Sequence, residues 1–97
     1  MLIEHPAATF AVQVEGNSMT GAGIFPGDIA VVHRSLSATN NSVVLALVDG
    51  AFTIKRYRCR GEVIWLQAEN PAYADMPLTE LTAFEIWGVI TKSIRMF

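Results

Sequence analysis

Ninety-seven residues with a net charge of −2 and a pI near 5.5 make one small domain, with no long-range attraction for nucleic acid phosphates. A chain of this length buries only about two thirds of the surface that its unfolded form exposes, so a second core is excluded. Hydrophobic residues make up 52% and charged residues 16%, an apolar surplus that fits a homodimer. The lone Cys59 cannot form an internal disulfide and fits a reducing cytoplasm. The apolar run Val43 to Val48 is far below the ~20 residues needed to span a bilayer, and Met1-Leu2-Ile3-Glu4-His5-Pro6 lacks the basic start of a secretory signal. Neither membrane insertion nor export is expected.

Turn signals recur about every ten residues, the spacing of a compact all-β fold. Pro6 opens the first segment, Thr9 to Glu15 reads as a strand, and Gly16-Asn17 closes it. Gly21, Gly23, Pro26 and Gly27-Asp28 break up the next dozen residues and leave room for one short helical turn after Ser18. Asp28 to Arg34 is a strand rich in Ile and Val, followed by a polar loop from Ser35 to Asn41. Ser42 to Val48 and Ala51 to Arg58 flank Asp49-Gly50, and a two-residue Asp-Gly link between apolar runs is a strong hairpin signal. Gly61 precedes a strand from Val63 to Gln67, Glu69 to Pro77 is polar and carries Asn70-Pro71, and Phe84 to Thr91 supplies a last strand. Helical periodicity is never sustained, so helices are short, with Leu78 to Ala83 the other candidate turn. The fold class is mainly β.

Alternation along Ala51 to Arg60 puts Thr53, Lys55, Tyr57 and Cys59 on one side of the hairpin and Arg56, Arg58 and Arg60 on the other. Lys55 therefore has uncharged neighbours, the setting in which a lysine can lose its proton. Ser18, in Val14-Glu15-Gly16-Asn17-Ser18-Met19, follows a strand that breaks at glycine, so a turn can present its hydroxyl. A serine needs a base to become a nucleophile, and that base must be unprotonated at working pH. Lysine, with an ordinary pKa of ~10.4, meets this condition only when burial disfavours its ammonium, at a cost in folding stability. Met19, Ile24, Phe52, Ile54 and Trp87 are candidates for the dry wall, and the backbone amides of Asn17 and Ser18 for the oxyanion donors.

The text around these residues is more specific than either alone. Val14-Glu15-Gly16-Asn17-Ser18-Met19, Gly23-Ile24-Phe25-Pro26-Gly27-Asp28 and Val48-Asp49-Gly50-Ala51-Phe52-Thr53-Ile54-Lys55-Arg56 resemble the self-cleaving S24 serine peptidases of LexA and UmuD type. The likeness continues through Glu69-Asn70-Pro71-Ala72-Tyr73 and Ile86-Trp87-Gly88-Val89-Ile90, and within the family it points to the UmuD and MucA branch. The interval from Ser18 to Lys55 is also the family's own. The resemblance implies a curved antiparallel sheet or partial barrel, as in LexA and signal peptidase, with Ser18 as nucleophile and Lys55 as general base. It implies a single peptidase domain over 1–97 with its cleavable N-terminal arm absent, cleavage stimulated by a RecA filament on single-stranded DNA, and action in trans. For UmuD-like members it further implies an SOS mutagenesis role, in which the processed homodimer assists a UmuC-like Y-family translesion polymerase. Two alternatives stand beside this reading: the C-terminal autocleavage domain of a LexA-like or phage repressor, and a non-enzymatic dimeric polymerase accessory. Asn17 and His33 depart from residues common in the family, at positions that do not carry the reaction.

Other constellations have blander explanations. His5 and His33 with Asp28 or Asp49 suggest a Ser-His-Asp triad, but neither histidine lies in a motif that would orient it. Cys59 lacks a helix start to activate it, and the scattered His and Cys residues imply no metal. No cofactor is expected. The run Lys55, Arg56, Arg58 and Arg60 reads as a solvated strand face that discourages edge pairing rather than a nucleic acid site. Ala22-Gly23 follows Ser18 too closely to fold back into its site as a substrate bond.

Overall fold

The computed structural model describes residues 8–95, and His5 and Pro6 lie outside them. Among the described residues, seven strands form one open antiparallel sheet: β1 (Thr9–Gln13), β2 (Ile29–His33), β3 (Val43–Val48), β4 (Ala51–Arg60), β5 (Val63–Gln67), β6 (Met76–Leu78) and β7 (Phe84–Ile94). Their order is β1-β2-β7-β3-β4-β5-β6, so β7 is inserted between β2 and β3 and joins the two halves of the sheet. The fold is mainly β, as the turn spacing implies, and the sheet does not close.

The Asp-Gly signal is realised as the β3/β4 hairpin. Asp49 and Gly50 have φ of 48° and 86°, the pair of positive values that a type I′ turn requires to match the twist of its strands. Asp49 also accepts the Ala83 N–H through Oδ1, which fastens the turn to the start of β7. The register pairs Val44 with Lys55 and Leu45 with Ile54.

Two small cores lie against the sheet. One gathers Val14, Met19, Ile24, Ala30, Val32, Leu45 and Ile90, and the other Val44, Ala46, Val48, Leu66 and Leu78. β3 contributes to both, which is why its sequence is a continuous apolar run rather than an alternating one. β7 accommodates its two neighbours through irregularities opposite Leu45/Ala46 and Val31/Val32. Between them lies Gly88, where a Cβ would sit 2.7 Å from Val32 Cγ1 and 2.8 Å from the His33 carbonyl oxygen. Glycine there allows β2 and β7 to approach.

Three expectations need correction. The Leu78 to Ala83 stretch is not helical: Leu78 ends β6, and the Thr79 and Thr82 side chains close a turn whose Thr82 N–H donates to the Thr79 carbonyl. The end of the polar segment, from Met76, pairs with β5 as a strand too short to show a period. Finally, β4 is an interior strand, so its arginines guard no edge. Arg56 instead pairs with Glu69, and Arg58 donates to Asn40 and Gln67. The expected helical turn after Ser18 is the 3₁₀ turn η1 (Thr20–Ala22), capped by Gly23 at φ 79°.

Candidate active site

Ser18 sits in the turn between β1 and η1, where Gly16 adopts φ 74° and reverses the chain without a Cβ penalty. Lys55 projects from the middle of β4 on the same side as Thr53, as alternation requires. The two meet. Lys55 Nζ donates to Ser18 Oγ at 3.1 Å and to Thr53 Oγ1 at 2.6 Å, and Ser18 Oγ donates to the Ile54 carbonyl at 3.5 Å.

Lys55 is only 8% exposed, and no carboxylate pairs with it among the described residues. Desolvation by burial therefore lowers its pKa from the ordinary lysine value. The centre of the Tyr73 ring lies 6.0 Å from Nζ. Proton exchange between Oγ and Nζ across the 3.1 Å contact would give a nucleophile activated by a neutral amine.

Beside the pair runs a groove of about 590 Å³, with Phe10 and Val12 of β1, Phe52 and Ile54 of β4, Leu45 and Trp87 among its lining residues. Trp87 meets Phe10 and Phe52 edge to face, at 6.5 and 5.1 Å between ring centroids, while the Arg34 guanidinium stacks 4.4 Å from its ring. Its buried indole N–H has no acceptor among the described residues. Of the five expected wall residues, Phe52, Ile54 and Trp87 line the groove, whereas Met19 and Ile24 belong to the core behind the serine turn.

Among the described residues, no acceptor within the chain takes the N–H of Asn17 or Ser18, which leaves both free to act as donors. Of the residues named for a triad, His5 lies outside the described residues, and the others do not assemble with Ser18. His33 Nδ1 lies 3.2 Å from Thr9 Oγ1, Asp49 holds its own turn, and Asp28 binds Phe25, Ser93 and Arg95. Ala22, the last residue of η1, and Gly23, its cap, are held by backbone bonds to Met19 and Thr20.

Sequence reasoning missed the loop after β5. Its Tyr73 ring approaches Lys55, its Glu69 carbonyl accepts the Gly21 N–H at 2.7 Å, and its Asn70 donates to the Asn17 carbonyl at 2.8 Å. The Asn-Pro turn signal was visible, but the contacts cross the molecule and have no local signature.

The chain matches the Peptidase S24-like family over residues 1–91. It is 44% identical over 95 residues to the LexA repressor of Shewanella oneidensis, covering 94% of this chain and 45% of that protein. The LexA repressor of Shewanella baltica is 46% identical over 70 residues, covering 72% and 34%. Protein MucA of Salmonella typhimurium is 39% identical over 94 residues, covering 95% and 63%. The chain thus spans between about a third and just under two thirds of these relatives' length. A match that takes in the Ser18 turn, the Lys55 hairpin and most of β7 shows that the chain belongs to the S24-like peptidase family.

Proposed function

We propose that residues 1–97 act as one serine peptidase domain in which Ser18 is the nucleophile and Lys55 the general base. The observation that carries this reading is the 3.1 Å contact between Oγ and a buried Nζ that has no counter-ion among the described residues. Neutral Lys55 takes the Ser18 proton as Oγ attacks the scissile carbonyl. The N–H groups of Asn17 and Ser18 receive the developing oxyanion. The tetrahedral intermediate collapses to an acyl ester as the Lys55 ammonium returns its proton to the leaving amine. Lys55 then deprotonates a water that hydrolyses the ester and regenerates Ser18. Thr53 orients the amine throughout. The substrate is a peptide segment laid along the apolar groove, supplied by the cleavable arm of a LexA/UmuD-type protein, in cis or from another chain.

The biological role proposed is SOS mutagenesis of UmuD type, with cleavage stimulated by a RecA filament on single-stranded DNA. The processed homodimer would then assist a UmuC-like Y-family polymerase. MucA supports this branch through a match covering most of its length. The LexA repressors, at higher identity, favour a second reading as a repressor autocleavage domain. The sequence preceding Met1 in the gene separates the two: a helix-turn-helix means repressor, a short arm means mutagenesis protein.

The dyad itself is tested with a small fluorophosphonate that esterifies activated serines. Peptide mapping is expected to place the label on Ser18, with labelling accelerating as pH rises and falling at least 100-fold in Lys55→Met. Equal labelling of Lys55→Met would sink the assignment.

A further inference from the structure

An oxyanion donor works only if its peptide plane is already aimed at the site when charge develops. The plane in question joins Asn17 to Ser18. In a trans peptide the carbonyl and the N–H point in opposite directions, so whatever binds the Asn17 carbonyl also sets the direction of the Ser18 N–H. The shortest bond to that carbonyl comes from the side chain of Asn70, whose Nδ2 donates at 2.8 Å from the loop after β5. The Thr20 hydroxyl and N–H also reach it, at 3.2 and 3.4 Å, but both belong to the same turn as the peptide they would hold.

Asn70 is itself fixed. Its Oδ1 accepts the Ala72 N–H at 2.9 Å and its carbonyl accepts the Tyr73 N–H at 3.0 Å, so the Asn-Pro turn settles which end of the amide faces Asn17. The residue before it grips both sides of the site. The Glu69 carbonyl binds the Gly21 N–H, and a Cβ at Gly21 would overlap that oxygen, while the Glu69 carboxylate pairs with Arg56, next to Lys55 on β4.

We infer that Asn70 is a positioning residue, which holds the Asn17–Ser18 peptide with its N–H turned into the site. The inference rests on the assignment of Ser18 as nucleophile. Loss of the Asn70 donor leaves the serine and lysine in place but lets the peptide rotate, so turnover falls while substrate binding does not.

The test compares wild type, Asn70→Asp, Asn70→Ala and Ser18→Ala in cleaving an arm-bearing homologue whose own serine is replaced by alanine. Asn70→Asp keeps the acceptor for Ala72 but puts an oxygen against the Asn17 carbonyl. Both Asn70 variants are expected to lose about 10- to 100-fold in kcat with KM within about twofold and the pH of half-maximal rate unchanged. An unchanged kcat in a folded Asn70 variant, or a loss confined to KM, overturns the inference. Nitrogen-15 relaxation of the wild-type Ser18 amide decides the matter even if the variants do not fold. An order parameter near 0.85 is expected, and one below about 0.6 means that the peptide is not held. Cleavage by Ser18→Ala would instead overturn the nucleophile assignment, whatever Asn70 does.

Discussion

A lysine beside a serine is useful as a base only without its proton, and the fold makes the proton expensive to keep. Lys55 is buried, faces Thr53 and Ser18 rather than a carboxylate, and has its pKa lowered by desolvation. The folded protein therefore binds fewer protons at this site than the unfolded chain between the lowered folded value and the ordinary value of 10.5. Stability rises with pH across that window, and the full burial penalty is present below it. Lys55→Met removes the penalty. It is expected to abolish cleavage, raise the melting temperature at neutral pH and flatten its rise toward pH 10, with each ~1 kcal/mol appearing as about 4–8 °C. Thermal melts from pH 6 to 10 check this, and a variant less stable than wild type at pH 7 would contradict it. Alternation in the sequence showed that Lys55 and the arginines lie on opposite faces. It could not show Tyr73 or Asn70 approaching, because those contacts join segments far apart in the chain.

Among the elements, the β3/β4 hairpin and β7 hold the site for different physical reasons. The hairpin depends on local backbone conformation, so Gly50→Ala, at φ 86°, is expected to cost about 1–2 kcal/mol. At Gly88 the obstacle is the neighbouring strand, whose His33 backbone cannot swing aside like a flexible side chain. Gly88→Ala is expected to cost more, about 3 kcal/mol, by prising β2 from β7. Urea unfolding of both variants tests the order, and Gly50→Ala being the more damaging would contradict it. The first was legible from Asp-Gly between two apolar runs. The second was not, since nothing local distinguishes Gly88 from a turn glycine until the insertion of β7 between β2 and β3 is known. β6 escaped for a related reason: Met76–Leu78 is a strand only because β5 presents an open edge to it.

Across the whole molecule, two small cores share β3, and the turn before β2 is tied to the end of β7. Asp28, 3% exposed, accepts the Phe25 N–H at 2.9 Å and bonds to Ser93 and Arg95 at the end of β7. The Phe25 bond is the chief cause of its lowered pKa, with Ser93 and Arg95 adding to it against the opposing effect of burial. Its contribution to stability is present above the ordinary value of 3.8 and is lost as pH falls through the folded value. Acid unfolding should therefore steepen below about pH 4 in wild type and be shallower in Asp28→Asn; identical acid limbs would contradict this. The most direct measurement for the site itself is cleavage in trans. The domain is mixed with an arm-bearing homologue that lacks its own serine, and the products are followed by intact-mass spectrometry. Wild type is expected to cut the arm, while Ser18→Ala and Lys55→Ala do not; cutting by folded Ser18→Ala at the wild-type rate would contradict the assignment of Ser18 and Lys55 as the catalytic pair.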